Sequence, residues 1–274
     1  MSILLAEARK LPAFVRRDFL VALSYRMSFV SDLVSLAGQI LIFYFLGRLV
    51  DSSDLPTYGG TEVTYLEFAA VGIAVAVFMQ FGLQHVARAV RSEQLMGTLD
   101  SLLTTPTTWS TIQIGSAAFE LLYIPLRLSL FLFAATIAFG FGFESSGILP
   151  AVVLLAMFIP FIWGLGVVAA AIVLTFRRGG GLVGLGAMLL ALASGLYFPV
   201  DLLPGWLVSF AEVNPVAVVT DGMREALVGG AGWTAITREA AVLAPLSLLS
   251  LAVGGACFRL ALRRERRLGT LGLY

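Results

Sequence analysis

The chain has 274 residues, of which 59% are hydrophobic and 13% charged, about half the charged fraction of roughly 25% in soluble domains. Its mean hydropathy is +0.93, so it has too few polar side chains to cover a soluble globule of this size. These figures exclude a disordered chain, a disulfide-stapled secreted module and an ordinary soluble enzyme. They predict an all-α integral membrane protein built from apolar spans of about 20 residues.

The charges are balanced, with 18 Lys plus Arg against 17 Asp plus Glu, which gives no reason to expect a nucleic-acid partner. Only Lys10 is a lysine, and it lies in AEARKLPAF. This excludes a P-loop, whose phosphate-binding lysine follows a glycine-rich loop, so any ATP hydrolysis must come from another chain. Cys257 and His85 are the only cysteine and histidine; an internal disulfide is excluded, and no metal site is expected.

The first 28 residues predict an amphipathic helix at the membrane surface, which Pro12 kinks or divides in two. Basic residues lie between apolar ones that recur at spacings of three and four, namely Leu4, Ala8, Leu11, Val15, Phe19 and Ala22. No clean apolar core precedes a small-residue cleavage site, so the segment is not a signal peptide.

Six apolar spans follow, each expected to cross the bilayer as a helix. They cover about 29–49, 65–86, 112–140, 148–175, 181–199 and 240–260. A count of five or seven remains open, depending on how 198–216 is interpreted.

The connections between these spans alternate in charge. Those at 50–64 and 141–147 contain acids and no basic residue, and the one at 200–239 has five acids against two arginines. The N-terminal segment, the remaining connections and the C-terminal end from Arg259 onward carry the other basic residues, except Arg48 and Arg127, which lie within spans. By the positive-inside rule, this pattern predicts that both termini are cytoplasmic.

Two connections are longer than turns. The one at 88–110 is long enough for a short helix with three leucines on one face, ended by Thr105-Pro106. The one at 197–230 is apolar, but its prolines exclude a single spanning helix. A re-entrant hairpin, or short interfacial helices anchored by Trp206, is predicted there, because irregular backbone at membrane depth must be shielded by protein.

Both connections resemble motifs of the ABC-2 type transporter permease family. Residues 93–106, EQLMGTLDSLLTTP, resemble the pattern E-x-x-x-G-T-L-E-x-L-L-x-(T/S)-P of that family's first cytoplasmic loop, with Asp100 where Glu is usual. The second connection resembles the run before the family's last span, through Phe198-Pro199, Leu203-Pro204-Gly205-Trp206, Asn214-Pro215 and Asp221-Gly222-Met223-Arg224. The order of motifs, the span count and the length agree, so the resemblance covers nearly the whole chain.

The resemblance implies a single transmembrane domain that acts as the permease subunit of an ATP-driven exporter in a bacterial-type cell membrane. Two permeases, identical or paralogous, would pair among the membrane lipids, each seated on a separate cytoplasmic ATPase. ATP and Mg²⁺ would bind to that ATPase, and this chain would bind no cofactor. The implied cargo is a hydrophobic or amphipathic compound, such as a drug-like molecule, a lipid or a glycolipid.

The resemblance also assigns segments: a connector helix at 1–28, a six-span bundle at 29–260 and a basic cytoplasmic tail at 261–274. Within the bundle, a coupling helix at about 90–106 would rest on the ATPase, and a re-entrant segment at about 198–216 would form an extracellular gate. The coupling residues would be Glu93, Gly97, Thr98, Asp100, Thr105 and Pro106, the connector residues Arg16, Arg17 and Asp18, and the gate residues Phe198, Pro199, Pro204, Trp206, Asn214 and Pro215.

Polar and small residues inside the spans suggest further sites. Glu120 and Arg127 lie seven residues apart in the third span and share a helix face. They could form a gate or an ion pair on the translocation path, or a purely structural pair. A glycine cluster at 179–186 favours a close helix contact, either at a subunit interface or on a helix that moves. The first three glycines are equally compatible with a flexible loop end.

Two other functions compete with the permease. A secondary transporter driven by an ion gradient often contains inverted repeats, and no convincing repeat is present. An intramembrane enzyme needs a nucleophile and base or a set of metal ligands, for which one histidine and one cysteine are a poor supply.

Overall fold

The computed structural model describes residues 26–50, 55–60, 62–96, 142–176 and 179–268, with isolated positions at 12, 16, 19, 20, 24, 133, 136 and 137. In this part of the chain, every regular element is a helix. The seven α-helices are α1 (Arg26–Gly47), α2 (Tyr65–Met96), α3 (Ile148–Thr175), α4 (Gly179–Leu192), α5 (Gly205–Val213), α6 (Pro215–Leu227) and α7 (Thr234–Leu268). The prediction of an all-α protein is confirmed for the described residues.

Among the described residues, three helices are long and apolar enough to cross a membrane, over Tyr65–Arg88, Ser145–Thr175 and Ile236–Glu265. Shorter apolar stretches occur at Ala37–Gly47 and Gly179–Leu192. The helices therefore agree with a membrane protein, whereas the count of six spans stays a prediction. The span expected at 112–140 lies outside the described residues, apart from three isolated positions.

The helix at the fifth predicted span is shorter than the apolar run of 181–199. α4 has 14 residues and rises about 21 Å at 1.5 Å per residue, less than the hydrocarbon thickness of about 30 Å. It ends because the chain turns at Gly195, whose φ of 64° is open to glycine without strain. The carbonyl groups of Gly195 and Leu196 lie in this turn, outside α4, and can accept hydrogen bonds from another element.

α3 is the central helix and packs against α2, α4, α6 and α7, most extensively against α7. Glycines bring α3 and α7 together: a Cβ on Gly254 would lie 2.5 Å from the carbonyl oxygen of Gly164, and Gly164 likewise has no room for a side chain against α7. The Ser250 hydroxyl donates to the Phe161 carbonyl across the same contact, at 2.9 Å. Small residues thus let the two backbones approach closely.

The glycine cluster of α4 makes few such contacts. Gly179 packs against the backbone of α3, whereas an added Cβ on Gly180, Gly181, Gly184 or Gly186 would meet nothing within 4 Å. The subunit interface predicted for this cluster stays a prediction.

Three connections meet at one end of the bundle. The loop at 55–60 lies on the turn after α6, where Gly59 contacts the backbone of Gly229, and the Glu144 N–H donates to the Leu227 carbonyl at 2.8 Å. At the opposite end, Val86, Leu174 and Phe258 join α2, α3 and α7 in one apolar cluster. The acidic connections, which the charge pattern predicts on the same side, therefore lie together.

Candidate functional site

A cleft of about 720 Å³ opens where the acidic connections meet. Its walls are loop 55–60, residues 199–201, one side of α5 and α6, and the first turns of α7. All five acids of the 200–239 connection line it, with both of that connection's arginines: Asp201, Glu212, Asp221, Arg224, Glu225, Arg238 and Glu239. Valines, prolines and Phe68 supply its apolar lining, so the cleft is amphipathic with an excess of negative charge.

The break between α5 and α6 is built by Asn214 and Pro215. The Asn214 side chain accepts from the Val216 N–H at 3.1 Å, a helix cap that typically contributes about 1 kcal/mol, and Pro215 takes the first helical position, where its missing N–H costs nothing. The Asn214 amide also donates to the Ser194 hydroxyl at 2.7 Å. This pair therefore starts α6 and docks it against the end of α4.

Arg224, on α6, is the most buried charged residue at the site, with 2% of its surface exposed. Its guanidinium donates to the carbonyl groups of Phe68 (3.1 Å), Gly195 (3.0 Å) and Leu196 (3.1 Å) and to the Asp221 carboxylate (3.2 Å). It also lies 3.5 Å from the centroid of the Phe68 ring, a favourable cation–π distance. These contacts compensate the burial of the charge and tie α6 to α2 and to the turn after α4.

A glycine on α2 makes this arrangement possible. A Cβ on Gly72 would overlap the Leu196 carbonyl group, so only glycine lets the turn after α4 lie against α2. The carbonyl groups that bind Arg224 are held in place by that contact.

Tyr58 joins the loop to the same network. Its hydroxyl donates to the Asp221 carboxylate at 3.1 Å and accepts from Arg224 at 3.5 Å. Burial raises the pKa of the Tyr58 phenol well above its usual value, with Arg224 lowering it and Asp221 raising it to smaller extents. The phenol is therefore protonated at neutral pH, which is the form that can donate to the carboxylate.

The model of the ABC-2 type transporter family matches residues 9–228. The chain belongs to the ABC-2 type transporter family. It is therefore the permease component of an ABC transporter, a transport subunit that is not itself catalytic and that in this family normally pairs with an ABC ATPase and often with a second permease. No curated protein matches the chain significantly.

Both motifs that carry the family resemblance fall inside the matched range, so the recognition of this ABC-2 permease from its sequence is confirmed. The match extends from the N-terminal segment to the turn after α6. It includes Tyr58, Asp221 and Arg224, the three side chains of the network at the cleft.

The predicted gate residues of the permease do not converge on one point. Pro199 lines the cleft, Asn214 and Pro215 are buried at the α5–α6 break, and Pro204 precedes α5. Trp206 is 72% exposed, as expected of an interfacial anchor. Phe198 is half-buried near Pro199 without lining the cleft.

The predicted coupling segment begins as part of α2. This helix continues through Glu93 to Met96, so the segment does not start as a separate helix at residue 90. The other coupling residues, Gly97, Thr98, Asp100, Thr105 and Pro106, lie outside the described residues, as do Arg17, Asp18, Glu120 and Arg127; Arg16 is exposed.

Sequence reasoning missed the roles of Tyr58 and Arg224. Arg224 lies within the family motif, and its spacing of three residues from Asp221 is the signal that could have suggested an ion pair. No local signal identifies Tyr58, because its partner Asp221 lies 163 positions away. Among the described residues, no group of three or more potential ligands could hold a metal ion.

Proposed function

We propose that this permease forms, with a second permease, the membrane path of an exporter. A separate ATPase subunit bound to each permease drives transport. The observation that carries the proposal is the family match over residues 9–228, and the long apolar helices support it. The ATPase is a separate chain in this proposal because the only lysine, Lys10, lies outside any glycine-rich loop.

The proposed topology has six spans with both termini in the cytoplasm. The meeting of the connections at 50–64, 141–147 and 200–239 at one end supports it, because these are the connections poor in basic residues. The cleft then faces the exterior, and α5 with the start of α6 forms the re-entrant gate with Phe198, Pro199, Pro204, Trp206, Asn214 and Pro215.

The proposed coupling element is the end of α2 with the segment that follows it to Pro106. α2 is unbroken over 32 residues, and the helical rise from Phe68 at the cleft to Glu93 is about 38 Å. A continuous helix of this length can transmit a displacement from a cytoplasmic ATPase to the cleft. Glu93, Gly97, Thr98, Asp100, Thr105 and Pro106 would contact the ATPase, as Arg16, Arg17 and Asp18 of the connector would.

The proposed cargo is hydrophobic or amphipathic: a drug-like compound, a lipid or a glycolipid. The mixed lining of the cleft supports this class, because valines and carboxylates line the same opening. Glu120 and Arg127 are proposed as an ion pair on the path within the third span.

Purification of the permease from its native membrane tests the proposal. We expect an ATPase chain to co-purify in equal amount with the permease and to hydrolyse ATP. A permease oligomer without an ATPase that carries out proton- or sodium-coupled transport would contradict the proposal and favour a secondary transporter.

Substitution in the coupling segment tests the mechanism. In the complex with the ATPase, Glu93→Gln or Gly97→Ala should remove most of the stimulation of ATP hydrolysis by amphipathic compounds, because the contact that transmits ATPase closure is weakened. The subunits should still co-purify. Glu62→Gln, the same chemical change at an exposed position on the opposite end, is the control. Stimulation that is equal in all variants would remove the coupling role from this segment.

A further inference from the structure

Loop 55–60 covers one side of the cleft. Pro56, Thr57 and Tyr58 all line it, and the loop is anchored by packing of Leu55 and Tyr58 with Val63 and Phe68. Its hydrogen-bonded link to the far wall runs through the Tyr58 hydroxyl, which donates to Asp221 at 3.1 Å.

The two halves of the hydrogen-bond network differ in how easily they open. Arg224 is 2% exposed and bound to three backbone carbonyl groups, so displacing it would leave a buried cation without partners. The Asp221 side chain is 50% exposed, so its carboxylate stays solvated and keeps Arg224 as a partner when Tyr58 leaves. The hydrogen bond between Tyr58 and Asp221 is therefore the one that breaks first.

The loop also meets the turn after α6. Gly59 has a φ of 59° and Gly229 lies directly against it, so the two segments meet backbone to backbone at this point. Val228 of the same turn packs against the apolar cluster that contains Leu55 and Tyr58, so lid opening must separate this apolar contact as well as the hydrogen bond.

We propose that loop 55–60 is a lid on the cleft, held shut by the hydrogen bond from Tyr58 to Asp221 together with the apolar packing of Leu55 and Tyr58, while Arg224 keeps the opposite wall fixed when the lid opens. The role of the lid in transport rests on the proposed function. Its opening is a property of the permease alone and is measured without an ATPase.

The rate at which a cysteine inside the cleft reacts with a maleimide measures lid opening. The reporter is Ala217→Cys, at a cleft-lining position that is 3% exposed, in the full-length chain with Cys257→Ala, solubilised in detergent. Tyr58→Phe keeps the ring and removes the donor. Loss of a hydrogen bond to a charged group should raise the open population, and with it the labelling rate, about tenfold.

Three controls make the result specific. Tyr44→Phe removes a phenol on α1 that accepts from Arg48, away from the cleft, and should leave the rate at the reporter unchanged. Ser209→Cys, an exposed position on α5 that does not line the cleft, should react fast in both backgrounds. Leu243→Cys, which is buried in the core, should stay unreactive in both.

Each outcome of the labelling experiment either supports or overturns the lid. A faster rate at Ala217→Cys alone supports the lid. An equal rate with Tyr58 and with Tyr58→Phe overturns it, and so does a rate that also rises at Leu243→Cys, since the variant then loosens the whole fold. Val218→Cys, half-buried in the same wall, replaces the reporter if Ala217→Cys does not fold. Failure to find a partner ATPase would overturn the proposed function and leave this result unaffected.

Discussion

At the scale of single residues, Arg224 shows how a membrane-embedded fold accommodates a cation. Its acceptors are backbone carbonyl groups supplied by α2 and by the turn after α4, and one carboxylate on its own helix. The carbonyl groups of Gly195 and Leu196 have lost their helical partners at the end of α4, so the guanidinium satisfies acceptors that would otherwise be unpaired.

Replacement of Arg224 should destabilise the permease strongly. We expect Arg224→Met to lower the free energy of unfolding by about 3–5 kcal/mol, because three buried carbonyl groups lose their hydrogen-bond donor and the half-exposed Asp221 loses its ion-pair partner. Arg238→Met, on an exposed side chain of the same cleft, should change it by no more than about 0.5 kcal/mol. Unfolding in mixed detergent micelles measures both, and similar losses in the two variants would contradict the role given to Arg224.

Tyr58 should make stability sensitive to alkaline pH. Its pKa is raised in the folded protein above the value of about 10 in an unfolded chain. The unfolded chain therefore loses this proton first, and stability falls as the pH rises above about 10. Melting temperatures between pH 8 and pH 11 should decline less steeply in Tyr58→Phe than in the wild type, whereas Tyr44→Phe should follow the wild type. A Tyr58→Phe profile parallel to the wild type would contradict the linkage.

At the scale of helices, glycine contacts determine how closely elements pack. Gly254→Ala should destabilise by about 1–3 kcal/mol, because its Cβ would lie 2.5 Å from the Gly164 carbonyl oxygen on α3, a backbone atom that cannot rotate away. Gly184→Ala on α4 should instead stabilise by up to about 1 kcal/mol through helix propensity, since its Cβ meets nothing within 4 Å. Thermal unfolding distinguishes the two, and a loss of stability in Gly184→Ala would contradict the open environment of this glycine.

Helix positions were predictable where apolar composition alone decides them. α2, α3 and α7 coincide with predicted spans because a long apolar run satisfies its backbone only as a helix. The end of α4 was not predictable, since the residues after Leu192 are also apolar. It is determined by the turn at Gly195 and by the binding of Arg224, both of which depend on elements distant in sequence.

The candidate site was predictable only in its composition. The sequence shows five acids between 200 and 239, and three prolines between 197 and 230 that exclude a single helix there. Their arrangement around one cleft depends on the contact of loop 55–60 with α6. Pairings between residues so far apart leave no periodic pattern in the sequence, so Tyr58 could not be found there.

At the scale of the whole molecule, the ends of the bundle differ in chemistry. The end with the cleft carries the acidic connections, and the other end carries Arg88 and the basic end of α7. The open faces of α1 and α4 are rich in exposed large apolar side chains, which in a membrane face lipid or another permease.

Labelling from the two sides of the membrane tests the proposed topology. In a Cys257→Ala background, Glu62→Cys should react with a membrane-impermeant maleimide in intact cells. Arg267→Cys should react only after the cells are permeabilised, because the rule of basic residues inside places it in the cytoplasm. Both positions are exposed in the structure. Reaction of both from the same side would contradict a topology with an odd number of crossings between them.

The position of Arg224 in the chain has a consequence for biosynthesis. Within the described part of the chain, the hydrogen-bond partners of the Arg224 side chain all precede it in sequence: Tyr58, Phe68, Gly195, Leu196 and Asp221. A growing chain leaves the ribosome from its N-terminus. When this arginine is synthesised, every acceptor it needs already exists. The order of translation therefore allows the cation to go directly from the aqueous exit path to its final partners, without a stage in which it waits unpaired in the bilayer.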